Sequence, residues 1–330
     1  MNLLTTILQH NQAVKTLSTG QGKIVTSYLQ DEAFLMAGAF QLSKKVYIVV
    51  KSNLYEAQQY YSALKQLLGD DCCYFPYDES VRMEILAQSP EMLAERLNTY
   101  EKLLENKPVV VVTHTSAVLR HLPTKETYQK FCLNLSVGQR FDMKDLQKRL
   151  VEMGYQYILN VDQPFYFSHR GIIDVFSNNY EYPIRIEFFD DEIDSLRYFD
   201  QATQRTISTI NEVKIIPATE ILYEADEVQS AIDIINKNYL RCERLLEEDK
   251  KDDLRHYLNV DIENLRLHDT TLSMSKYYAC FKHDTSLINF VDDVNIVLSP
   301  YTSLKDNERM LFEELTSYQH EMFEEGRMTL

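Results

Sequence analysis

Residues 167–206, FSHRGIIDVFSNNYEYPIRIEFFDDEIDSLRYFDQATQRT, restrict the possible folds more than any other stretch of the chain. Runs rich in β-branched and aromatic residues are separated by Ser177-Asn178-Asn179 and by Asp190-Asp191, and this spacing predicts a three-stranded antiparallel meander. In the middle run Ile184, Ile186 and Phe188 alternate with Arg185, Glu187 and Phe189. A period of two puts Arg185, Glu187 and Phe189 together on the polar face. If residues 177–182 close an ordinary hairpin, Asp174 falls opposite Arg185 and Arg170 opposite Phe189. Two arginines and an aromatic ring on one polar face have the make-up of a protein-binding hot spot. The same residues also fit a plainer arrangement, with the ring packed under a loop and the arginines paired to nearby acids.

Upstream, residues 23–26, 46–50, 72–75 and 109–112 read as strands, and residues 31–42, 54–68 and 90–104 as helices. The unbroken run Val109-Val110-Val111-Val112 has no polar alternation, so its strand is covered on both faces, as in a parallel α/β layer. From about Pro123 the pattern changes. Asp142 is placed to cap a helix, Phe141 and Leu146 to staple it, and Gly154 to end it. A strand over 157–161, the meander and a strand over 213–216 follow, closed by Pro217. Beyond it, helical stretches at 227–238 and 240–258 precede apolar runs at 287–290 and 295–298 that look like the return of the first sheet. The expected architecture is an α/β parallel-sheet domain in two chain halves, 1–122 and an acidic, helix-rich 218–330, with an α+β domain inserted at 123–217.

Charge narrows the partners. Of the net −16, residues 218–330 hold −12, with 12 basic against 24 acidic groups, and that third repels a phosphate backbone. No apolar run is long enough to span a bilayer and no secretory leader follows Met1, so a cytoplasmic protein is expected. The five cysteines form no C-x-x-C pair, Cys72-Cys73 reads as free thiols in a buried strand, and the eight histidines stand singly as surface or turn residues. Neither a metal nor a cofactor is expected.

A parallel layer invites a search for a phosphate cradle. Gly20-Gln21-Gly22-Lys23 has the residue types but not the spacing, and reads as a turn. The topologically proper position, Ser27-Tyr28-Leu29-Gln30-Asp31-Glu32-Ala33, has neither glycine nor lysine, and its two carboxylates sit at a helix start. After the run 295–298 stands Ser299-Pro300-Tyr301, where a nucleotide-driven motor would carry an acidic pair for Mg²⁺.

The runs Phe167 to Phe176, Pro183 to Arg197 and Gln204-Arg205-Thr206, together with Phe75-Pro76-Tyr77-Asp78, Ser89-Pro90-Glu91, Met153-Gly154-Tyr155 and Pro217-Ala218-Thr219-Glu220, resemble the UvrB-homology module of the bacterial transcription-repair coupling factors. The resemblance implies a helicase-like fold with a degenerate phosphate loop, and a fragment from the N-terminal part of a longer, DNA-translocating protein. It implies that the inserted domain docks UvrA, the damage-recognition ATPase, through Arg170, Arg185 and Phe189. RNA polymerase and DNA would be engaged by later domains, and the docking face would be masked by another part of the full-length protein. The alternative is a nucleotide-dependent, DNA-binding helicase like UvrB itself. Against it stand the degenerate loop and the absence of UvrB's tyrosine-rich DNA-clamping hairpin, in whose place only Tyr74-Phe75-Pro76-Tyr77 is found.

Overall fold

The structure is a computed structural model and describes residues 10–79, 89–281 and 285–329. It falls into two units, residues 1–120 with 285–320 and residues 121–284 with 321–330. The second unit thus takes in the helix-rich residues 218–281 as well as the sheet that contains the meander.

In the first unit, β1 (Val46–Lys51), β2 (Cys72–Phe75), β3 (Val110–His114) and β12 (Val294–Leu298) make a parallel sheet in the order β12-β1-β3-β2. The central strands β1 and β3 are buried almost throughout, as their unalternating sequences require. Helices Leu29–Ser43 and Leu54–Leu68 cover one side, burying Met36, Phe40, Tyr60 and Leu64 against Tyr47 and Val112. Helix boundaries follow their caps. Asn53 accepts from Glu56 N at 2.8 Å, and Ser89 accepts from Met92 N at 3.2 Å with Pro90 in the first turn of helix Pro90–Leu104.

Two expected strands of this unit are corrected. Residues 23–26 form no strand and join no sheet, and Val25 is 95% exposed. Four residues with no partner strand and no surface to bury cannot sustain a ladder. Residues 287–290 form a 3-10 turn closed by a reciprocal Ser286 and Asn289 capping box, and the buried pair Leu287 and Phe290 is spaced by three rather than two. Residues 80–88, which follow Tyr77-Asp78-Glu79, lie outside the described residues.

The second unit contains a mixed sheet in the order β10-β9-β8-β7-β6-β5. Its strands are β5 (Gln156–Tyr157), β6 (Tyr166–His169), β7 (Ile173–Val175), β8 (Ile184–Phe189), β9 (Glu192–Phe199) and β10 (Thr206–Ile210). Pairing is antiparallel from β6 to β10, and β5 joins β6 in parallel. A separate ladder joins β4 (Leu133–Ser136) to β11 (Glu212–Ile215). The helix Met143–Glu152 starts at the expected cap, Asp142 accepting from Lys144 N at 2.7 Å, and buries Leu146 and Leu150.

The meander differs from expectation in one respect. The run 167–176 is two strands, not one, because Gly171 takes φ +82 and the chain doubles back, pairing Ser168 with Asp174. The strand expected over 157–161 shrinks to β5. Helices Ala225–Cys242 and Glu248–Arg266 pack with Met274, Tyr277 and Tyr278 into an apolar cluster of their own. Among the described residues no helix is long and apolar enough to cross a membrane.

Candidate partner-binding face

The alternation along β8 decides what this sheet presents. Ile184 and Ile186 are buried, and Phe189 on the opposite parity is 78% exposed. Strand β7 supplies the predicted neighbour, with Asp174 directly across from Arg185. On the other side Arg185 faces Arg197 and Glu187 faces Ser195 on β9.

The like charges of Arg185 and Arg197 are separated by giving each its own acid. Arg185 binds Asp174 through both oxygens, Nε to Oδ1 at 2.7 Å and Nη2 to Oδ2 at 2.8 Å. Its guanidinium lies 4.3 Å from the centre of the Phe199 ring, and its side chain is only 14% exposed. This charge-assisted pairing raises the Arg185 pKa further above its ordinary value. Arg197 is held by Glu187, whose other oxygen accepts from Ser195 Oγ at 2.6 Å. Of the acids near Arg197 it is Glu187, its diagonal neighbour on β8, that pairs with it; Asp190 and Asp191 stand in the turn and Asp194 is the extra residue of a bulge opposite Glu187 and Phe188.

Phe189 sits at the last position of β8, paired with Glu192 across a turn in which Asp190 takes φ +58. That hairpin is not a frayed tip. Residues 137–141 run along it, with Gly138 N to Ile193 O at 2.8 Å, Ile193 N to Gln139 O at 2.9 Å and Phe141 N to Asp191 O at 2.8 Å. The ring is therefore held out on a braced ribbon rather than sealed under a loop.

Arg170 does not lie across from Phe189. The doubling back at Gly171 puts it in the β6–β7 turn, exposed, with its backbone N donating to Ile172 O at 3.0 Å. Because Ile173 pairs with Ile186, that turn flanks the end of β8 that leads to Phe189. Arg205 is exposed and forms no ion pair among the described residues. Gln204, quoted in sequence only as part of a motif, is the residue that sequence reasoning passed over. It comes to Arg185 from the β9–β10 turn, Nη2 donating to its Oε1 at 2.8 Å.

The first unit accounts for the other sequence candidates. Gly20, at φ +74, is the left-handed cap of helix Gln12–Thr19, its N–H closing on Leu17 O. At 27–33 the helix Leu29–Ser43 begins, and Glu32 in its first turn grips Lys51 Nζ with both oxygens at 3.1 and 3.0 Å. Lys51 is 4% exposed and lies 4.6 Å from the Tyr60 ring centre. Residues 23–26 supply no strand to lead into this helix, and its first-turn carboxylate is committed to an internal lysine rather than open to an anion. Cys72 is buried and its thiol is pushed up to about 12, first by burial, so it is unreactive as expected of a core residue.

His114 corrects the reading of the histidines as surface or turn residues. It is fully buried at the end of β3, with Nε2 accepting from Tyr77 N at 3.1 Å and Nδ1 at 3.0 Å from Ser116 Oγ. Burial, the larger cause, holds its pKa down at about 4. The folded chain therefore refuses a proton that the unfolded chain, near 6.5, accepts, and stability is lost as pH falls through that window. Lowering the pH from neutrality to 5 is expected to remove about 2 kcal/mol through this residue alone. Denaturant midpoints of wild type and His114→Asn across that range check it, the variant showing the shallower slope.

Comparison with known proteins places these elements. The family model described as the UvrB interaction domain matches residues 133–221, which include the whole of the β6–β10 ribbon. The transcription-repair-coupling factor of Bacillus subtilis (strain 168) is 31% identical over 300 residues, covering 89% of this chain and 25% of that protein. Those of Staphylococcus aureus (strain NCTC 8325 / PS 47) and Staphylococcus haemolyticus (strain JCSC1435) are each 27% identical, covering 99% and 89% of this chain. The chain spans about a quarter of the length of these relatives, 25%, 28% and 26% in turn. With the ribbon matched to an interaction domain and nearly all of the chain aligned to one kind of protein, the chain belongs to the transcription-repair-coupling factor family, as its module homologous to UvrB.

Proposed function

We propose that this chain is a docking module that binds UvrA and so brings nucleotide-excision repair to RNA polymerase stalled at DNA lesions. The observation that carries the reading is Phe189, exposed on a braced hairpin and on the same strand face as an ordered arginine, within residues matched as an interaction domain. In this reading residues 123–217 form the docking domain, Phe189 enters an apolar pocket on UvrA, and Arg170 and Arg185 meet carboxylates around it. RNA polymerase and DNA are engaged by other parts of the longer family members, and one of those parts masks the docking face until it is needed. Titration of the chain with purified UvrA tests this directly: saturable binding is expected, and its absence would sink the proposal.

We also read the first unit as a helicase-like frame, completed by the return of the chain at β12, that has lost its nucleotide site. Glu32, in the first turn of helix Leu29–Ser43, is taken up by the buried Lys51, and Ser299-Pro300 follows β12 where an acidic pair would stand. Labelled ATP should therefore show no saturable binding to this chain. A micromolar dissociation constant in equilibrium dialysis would restore the helicase alternative.

A further inference from the structure

The Arg185 guanidinium is divided between two tasks. Of the five N–H groups it carries, Nε and one Nη2 hydrogen go to Asp174, and the other Nη2 hydrogen goes to Gln204 Oε1 at 2.8 Å. The Nη1 pair meets no acceptor among the described residues, and Nη1 is not among the buried unsatisfied atoms. Asp174 is 8% exposed and fixed by the β7–β8 register, so it sets one edge of the guanidinium. Stacking on Phe199 sets its plane. A second acceptor is what stops the head group from rocking about the Asp174 edge.

That acceptor is itself tied down. Gln204 Nε2 donates to Gln201 O at 2.9 Å and Gln204 N to Asp200 O at 2.8 Å, while Asp200 Oδ1 accepts from Thr203 N and Thr203 Oγ1, each at 2.7 Å. The turn holds Gln204 at φ +60, a left-handed conformation that disfavours a residue with a side chain. Glycine would suit the backbone better. The side chain ties the turn only through Gln201 O, and its Oε1 is spent on Arg185.

We propose that Gln204 is a positioning residue that holds the Nη1 group of Arg185 outward to donate to a carboxylate on the docking partner. The proposal rests on the UvrA-docking reading above. Phe189 lies four residues along the same face of β8, roughly 13 Å away at the usual rise per residue, so the Nη1 donor and the ring address two points of one partner surface. Holding a long charged side chain in its bound orientation removes an ordering penalty from the encounter.

The test is titration of purified UvrA with the wild-type chain and with Gln204→Gly, Gln204→Glu and Phe189→Ala, each with its thermal melt. Gln204→Gly should keep or raise the melting temperature, because the positive φ is relieved, yet weaken UvrA binding by about 2- to 10-fold, the range for re-freezing one long side chain. Gln204→Glu keeps an acceptor at the same reach and should restore wild-type affinity. Binding by Gln204→Gly equal to wild type, a clear fall in its melting temperature, or failure of Gln204→Glu to rescue would overturn the assignment. Loss of binding in Phe189→Ala alongside any of those results leaves the docking face standing and removes only Gln204, whereas unchanged binding in Phe189→Ala rejects the docking face itself.

Discussion

Phe189→Ala should weaken UvrA binding by about 2–4 kcal/mol, the loss expected of an aromatic anchor, while moving stability by less than about 0.5 kcal/mol. Both halves follow from its position. The ring is 78% exposed, so truncation opens no cavity and removes little that folding had buried. The hairpin that carries it is hydrogen-bonded on its β9 side to residues 137–141 and on its inner face buries Ile186 and Ile193, so the backbone does not depend on the ring. Isothermal titration against UvrA and a chemical-denaturation curve read the two quantities separately. Wild-type affinity in the variant would mean that the exposed ring is not the anchor.

Arg185→Ala should behave in the opposite way, destabilising the second unit by about 3 kcal/mol whether or not a partner is present. The substitution strands the Asp174 carboxylate, 8% exposed, with its hydrogen-bonding partner gone. It also uncovers Phe199, a ring 1% exposed beneath the guanidinium. Arg185→Lys should recover little of the loss, since an ammonium offers neither the bidentate edge nor the flat face. Urea midpoints for the wild type and the two variants check this, and a midpoint unchanged in Arg185→Ala would show that the pair contributes nothing. A fall in UvrA binding by Arg185→Ala must accordingly be read against its stability, and Phe189→Ala is the cleaner probe of the face.

The two arginines of the ribbon show where sequence reasoning carries and where it stops. Parity along β8 and the register that sets Asp174 against Arg185 were both legible, because each depends on the period of a strand and on one short connection. The place of Arg170 was not. A single glycine at φ +82 splits the expected first strand, inserts β7 between β6 and β8, and moves Arg170 from a strand face to a turn. A glycine within a run of β-branched residues permits that reversal but does not require it. In the same way the apolar residues at 287–290 were visible, but a run of four does not distinguish a period of two from a spacing of three.

From the sequence alone came the parallel layer, the limits of the helices at 54–68 and 90–104, the mismatch of 27–33 with a phosphate cradle, and the side of β8 on which Phe189 falls. These are matters of local period, capping and residue type, and neighbours in the chain suffice to settle them. Only the tertiary structure decided that Arg185 is committed to Asp174 and Gln204, that Glu32 closes on Lys51, and that Phe189 stays open to solvent. Each of those outcomes depends on which distant segment arrives beside the residue, and burial and pairing are properties of that meeting rather than of the residue itself.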